Sequence, residues 1–133
     1  MRFQRLVLVA VLALMTGSLL AGCGARSSLR IGWLEAGGPG HKEARYRLFS
    51  GQERASFRAQ AGETIGLDYD VDVEKGTLAM TLIDPDGDTL WARTFEEDVE
   101  DSVQIEVPEG GRFRLRIEGE STGGAFKIAW RVE

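Results

Sequence analysis

Along most of this chain apolar and polar residues alternate one by one, the period of a strand with one buried face. The clearest run is Ile65-Gly66-Leu67-Asp68-Tyr69-Asp70-Val71-Asp72-Val73, apolar at each odd position and glycine or aspartate at each even one. Arg112-Phe113-Arg114-Leu115-Arg116-Ile117-Glu118 repeats the pattern with arginine on the polar side. Phe126, Ile128, Trp130 and Val132 repeat it again near the C-terminus. Weaker runs cover Tyr46 to Phe49, Ala55 to Ala59, Leu78 to Ile83, Thr89 to Phe95 and Val103 to Val107. Past the N-terminal stretch, no window carries a 3.6-residue period.

Turn chemistry separates the runs. Ser50-Gly51, Ala61-Gly62, Lys75-Gly76, Pro108-Glu109-Gly110-Gly111 and the stretch from Gly119 to Gly124 read as breaks, and Asp84-Pro85-Asp86-Gly87 fits a type I turn. About eight short antiparallel strands with apolar inner faces must bury those faces on one another. The predicted fold is all-β, a two-sheet antiparallel β-sandwich of jelly-roll or immunoglobulin-like type.

The N-terminus obeys a different rule. Basic Arg2 and Arg5 precede an apolar run from Leu6 to Met15, and Leu20-Ala21-Gly22-Cys23 comes after it. A membrane-spanning helix needs about 20 apolar residues. This run would reach only about 15 Å as a helix, and Thr16, Gly17 and Ser18 dilute the apolar character beyond it. A cleaved secretory signal fits better. Leu20-Ala21-Gly22-Cys23 resembles the lipobox of bacterial lipoprotein signal peptides. The resemblance implies that Cys23 becomes the first mature residue, carrying covalent diacylglycerol and an N-acyl chain, which together anchor a protein essentially permanently. The membrane is then a partner through that anchor, and the expected location is extracytoplasmic. Gly24 stands where the family's inner-membrane retention signal has aspartate. That points to the outer membrane in a Gram-negative cell, or to the outer leaflet of the cell membrane in a Gram-positive one.

The organisation expected from these signals is a signal peptide over 1–22, a lipidated cysteine and tether over 23–42, and a β-sandwich domain over 43–133. Within the tether, Leu29, Ile31 and Trp33 alternate with Arg30 and Gly32, so a short edge strand is an open reading there. Gly37-Gly38-Pro39-Gly40 reads as incapable of regular structure. Loss of Arg2 and Arg5 leaves 14 Lys and Arg against 21 Asp and Glu, a mature net charge of −7. That acidity argues against nucleic acid as a partner. Acylation of the single cysteine would also leave no thiol for a disulfide.

Residues 46–132 resemble the bacterial pre-peptidase C-terminal domains, small β-sandwich modules beside secreted peptidases and in envelope proteins. Ala61-Gly62-Glu63-Thr64, Leu82-Ile83-Asp84-Pro85-Asp86-Gly87, Pro108-Glu109-Gly110-Gly111-Arg112-Phe113 and Gly124-Ala125-Phe126-Lys127-Ile128 carry the likeness. It implies the sandwich and a non-catalytic accessory role, and it transfers no binding residue.

Three groups stand out as candidate chemistry. Arg112, Arg114 and Arg116 occupy one solvent face of one strand, with Lys127 and Arg131 as an extension if the last strand lies alongside. Such a row either grips an anionic polymer or acidic partner or is neutralised across strands by Asp68, Asp70 and Asp72. Asp84, Asp86 and Asp88 suggest a loose calcium loop or a plain β-turn. An EF-hand is excluded, because a loop starting at Asp84 has Thr89 in place of the glycine and Phe95 in place of the closing glutamate. Trp91 is either an exposed platform beside the arginines or part of the core. The one histidine, His41, stands in a glycine-proline segment without a nucleophile placed to use it. No catalytic residue, metal or cofactor is assigned. The expectation is a lipid-anchored, non-catalytic binding or accessory module of the cell envelope, its partner an envelope protein or cell-wall glycan. The alternatives are a dedicated glycan-binding module and a structural envelope lipoprotein without a ligand.

Overall fold

The computed structural model describes residues 28–133; Cys23 and the signal stretch lie outside them. Seven strands account for most of it: β1 (Leu29–Ile31), β2 (Leu34–Gly38), β3 (His41–Ala59), β4 (Thr64–Ile83), β5 (Thr89–Phe95), β6 (Val99–Glu106) and β7 (Gly111–Val132). Every pairing is antiparallel, and all seven belong to one hydrogen-bonded network.

That network is folded over on itself. The three central strands, 19, 20 and 22 residues long, each change register near their middles. The shifts fall between Tyr46 and Gly51 on β3 and between Val73 and Thr77 on β4. Bulges of this kind bend a strand sharply. On one side of the bend the order is β2-β3-β7-β4-β6, here sheet I; on the other it is β1-β3-β7-β4-β5, sheet II. The inner faces meet. Phe57 of sheet II stacks on Trp130 of sheet I at 6.0 Å, and Tyr69 of sheet I meets Phe95 of sheet II edge-on at 5.5 Å.

The expected all-β sandwich is therefore the fold, with a different strand economy. Ser50-Gly51, Lys75-Gly76 and Gly119 to Gly124, read as breaks, lie inside continuous strands. They bend a strand from one sheet into the other instead of ending it. Leu29–Ile31 and Leu34–Gly38, counted with the tether, are edge strands on β3, and Gly37 and Gly38 pair with Lys42 and His41.

Alternation sets the core as expected. Ile65, Leu67, Tyr69 and Val71 are buried, as are Leu78, Met80, Leu82, Phe113, Leu115 and Ile117. Side chains on the rims tie the two sheets together. On one edge Glu53 of sheet II pairs with Lys42 of sheet I at 2.6 Å and with Arg30, whose guanidinium lies 4.5 Å from the Trp33 ring centre. On the other, Arg93 of β5 donates to the Tyr69 hydroxyl at 2.8 Å and to Asp101 of β6 at 3.2 Å. Trp33 stacks on Tyr46 at 5.6 Å and fastens the β1–β2 segment to the core. Burial pushes the Tyr46 phenol up to about 12; its hydroxyl and the nearby Thr122 hydroxyl are both buried without a formed hydrogen bond.

Candidate functional site: a basic sheet face

Sheet II presents its outward side through the polar positions of β3, β7 and β4. On β7 the buried residues are Phe113, Leu115 and Ile117, so Arg112, Arg114 and Arg116 point out. On β3 the pattern Arg54-Ala55-Ser56-Phe57-Arg58 turns Arg54 and Arg58 the same way. Antiparallel register then sets Arg54 opposite Arg116, Ser56 opposite Arg114 and Arg58 opposite Arg112. Five guanidinium groups share one face. Neighbouring strands lie about 4.8 Å apart and alternate residues about 6.7 Å apart along a strand, so the charges form a two-dimensional grid.

Little neutralises it. Arg116 Nε lies 2.9 Å from Glu118 Oε1, an ion pair without hydrogen-bond alignment, and Glu118 also accepts from Gln52 Nε2 at 2.8 Å. Arg54 donates to Gln52 Oε1 at 3.1 Å, a neutral partner. Among the described residues, Arg54, Arg58, Arg112 and Arg114 form no ion pair with a carboxylate. Asp68, Asp70 and Asp72, the expected complements, lie on the outer face of sheet I. There Asp70 stands opposite Lys127, and Asp68 pairs with Arg131. The reason is the bend. β7 carries Arg112 to Arg116 in one sheet and Lys127 and Arg131 in the other, so neither the aspartates nor the two later cations reach the arginine row.

Beside the grid, toward the bend, lies a shallow depression of about 360 Å³ lined by Gln52, Thr77, Ala79, Thr94, Glu118 and Glu120. Its walls are short side chains and hydrogen-bonding groups. Ile83, opposite Arg114, is the largest apolar side chain on this face and is half-buried.

Trp91 is not part of it. Its register partner is the buried Leu82, and its ring tilts against Tyr69 at 5.4 Å on the inner side. The Asp84-Pro85-Asp86-Gly87 turn is built as a turn: Asp84 Oδ1 accepts the amides of Asp86 at 2.9 Å and Asp88 at 2.8 Å. A hydrogen bond and like charge from Asp86 raise the Glu109 carboxyl above the usual range. Among the described residues no three His, Cys, Asp or Glu side chains are grouped to hold a metal ion. His41 is exposed and opens β3 across from Gly38.

Arg54 and Arg58 escape a one-strand reading of the sequence, although the alternation of Arg54 to Arg58 already turns both outward. What the sequence withholds is the pairing of β3 with β7. Two like-charged pairs directly opposite one another are destabilising. Arg58→Glu is therefore expected to raise stability by about 0.5 kcal/mol, since it replaces a repulsive cross-strand pair by an attractive one. A denaturant melt checks this, and a loss of stability would mean that the two guanidinium groups already avoid each other.

The sequence matches no protein-family model and no curated protein. Among solved structures it is similar to TmCBM61 in complex with β-1,4-galactotriose, at 15% identity and TM-score 0.47 over 77% of this chain and 89% of that one. It is also similar to the carbohydrate-binding module CBM6cm-2 from Cellvibrio mixtus lichenase 5A in complex with cellotriose, at 11% identity and TM-score 0.47 over 79% and 88%. Aeromonas hydrophila PliG, a periplasmic inhibitor of g-type lysozyme, stands at 12% identity and TM-score 0.47 over 75% and 89%. Likenesses this loose carry no ligand across.

Proposed function

We propose that this protein is a non-catalytic binding module of the bacterial cell envelope, held by lipid on Cys23, and that the basic face of sheet II takes an anionic glycan. One observation carries the reading: five arginines share a flat face on which four of them have no carboxylate partner among the described residues. Repulsion inside such a grid is a standing cost, and a ligand with repeating carboxylate, sulfate or phosphate groups relieves it. Guanidinium groups hold such anions with paired hydrogen bonds. A protein partner suits the face less well, because central protein contacts use large aromatic and apolar anchors, and Ile83 is the nearest thing to one. The depression with Gln52, Thr77 and Thr94 offers donors and acceptors suited to sugar hydroxyls.

Dextran sulfate, with neutral dextran as its control, is the direct probe. The protein is expected to bind the sulfated polymer with an affinity that falls as salt rises. A charge-assisted hydrogen bond contributes about 1.5–3 kcal/mol, so Arg112→Ala with Arg114→Ala, which removes at least two, is expected to weaken binding by at least about 100-fold. Equal binding of neutral dextran, or a double variant that binds as the parent does, would sink the proposal.

A further inference from the structure

The edge of the sandwich nearest the N-terminus is apolar where a free sheet edge would ordinarily be polar. Leu29, Ile31 and Leu34 are 48%, 46% and 71% exposed, and they are the exposed large hydrophobic residues of the described chain. They form one patch. β1 and β2 lie end to end along the same side of β3, with Leu29 opposite Ser50, Ile31 opposite Leu48 and Leu34 opposite Arg45. Arg30, opposite the buried Phe49, faces inward, so Leu29 and Ile31 on either side of it face out. Leu34 does likewise, because its partner Arg45 is the exposed residue between buried Ala44 and Tyr46. The stem of Arg47 lies over Gly32, so close that a Cβ there would sit 3.0 Å from Arg47 Cγ. Its charge therefore stands at the border of the patch, without an ion pair among the described residues.

We infer that this edge rests on the lipid bilayer surface, with Leu29, Ile31 and Leu34 in the interfacial layer and Arg47 at headgroup level. The inference rests on the reading of Cys23 as the acylated residue. Five residues lie between Cys23 and Leu29, and no chain conformation stretches such a span beyond about 22 Å. An anchor at Cys23 thus keeps these particular strands within reach of the membrane at all times. Charge agrees with that orientation. The exposed Glu96-Glu97-Asp98 connection between β5 and β6 occupies the opposite edge of the sheet. Four strand spacings of about 4.8 Å place it roughly 19 Å from β1. The acidic groups of that connection then point away from a negatively charged surface, while the apolar groups with a bordering arginine point toward it. Glu35 is the one acidic side chain of β2 at this edge. With this edge down, the basic face of sheet II stands upright beside the bilayer and stays open to polymer approaching along it.

The full chain, purified after processing in the producing cell, tests this directly. Acylated Cys23 cannot react with a thiol reagent, so a cysteine introduced as Leu34→Cys, or as Ala92→Cys on β5 at the opposite edge, takes an environment-sensitive nitrobenzoxadiazole label alone. In phosphatidylcholine vesicles the label at position 34 is expected to shift to shorter emission wavelength and to be quenched by nitroxide-bearing lipid, while that at position 92 stays water-like. Water-like emission from both positions in acylated protein overturns the edge contact and leaves the anchor intact. Energy transfer between position-34 labels on separate copies, without lipid quenching, assigns the edge to a second copy and overturns it too. A mass spectrum showing an unacylated Cys23 peptide overturns the anchor and, with it, the edge contact.

Discussion

Gly124→Ala is expected to cost about 4 kcal/mol or more, beyond the 0.5–3 kcal/mol of an ordinary substitution. Gly124 sits at the bend of β7, between its two sheets, at φ +141°. A Cβ there would stand 1.9 Å from the carbonyl oxygen of Asp72 and 2.8 Å from its carbon, both on the backbone of β4. Two costs combine. The backbone conformation itself penalises any side chain by about 1–3 kcal/mol, and the contact can be relieved only by pushing two central strands apart at the place where both turn. Gly62→Ala separates the two terms. Gly62 also has a positive φ, +88°, yet its Cβ would meet nothing within 4 Å. It should lose only about 1–2 kcal/mol. Urea midpoints for the two variants settle the matter, and equal losses would show that the bend can open without breaking the sandwich.

Leu115→Ala is the second large effect, about 2–5 kcal/mol. Leu115 is fully buried in the middle of sheet II, opposite Ala55 on β3 and Leu82 on β4. Neighbours held in two directions by strand pairing cannot collapse into the space left by the lost atoms, which puts the cost toward the upper part of that range. Arg114→Ala, one residue away on the outer side, should change stability by no more than about 0.5 kcal/mol. Domains of this size are stable by only about 5–15 kcal/mol, so the contrast is easily read from denaturant melts. A loss below about 1 kcal/mol at Leu115 would reverse the inner and outer sides of β7.

Alternation made the faces legible in the sequence. Tyr69 and Val71 are inside and Asp70 outside because a strand turns successive side chains to opposite sides. What it could not reveal is where a strand changes sheets. Glycine after Lys75, or in Ser121-Thr122-Gly123-Gly124, looks the same in a turn that ends a strand as in a bulge that redirects one. Reading those places as ends yields more and shorter strands, and it leaves Lys127 and Arg131 free to join the row of Arg112 to Arg116. The continuous, bent β7 separates them. Pairing partners are equally hidden, since nothing local in Arg54 to Arg58 says which strand will lie beside it. The basic face became visible only when β3 and β7 were side by side, and the apolar edge only when Leu29, Ile31 and Leu34 were found paired to β3 instead of trailing free.

The place of β7 in the sheet order has a consequence for how the protein comes into being. β3 and β4 never pair with each other; each pairs with β7, which lies between them through both sheets. The last of the described strands is thus the central one of both sheets. Until residues 111–132 are present, β3 and β4 have no common partner and the hydrophobic side of each stays open to water. Most contacts also join distant parts of the chain, a topology that folds in milliseconds to seconds rather than microseconds. A chain wired in this way cannot complete its two sheets piecemeal from residue 28 onward: the core closes only when β7 takes its place between β3 and β4.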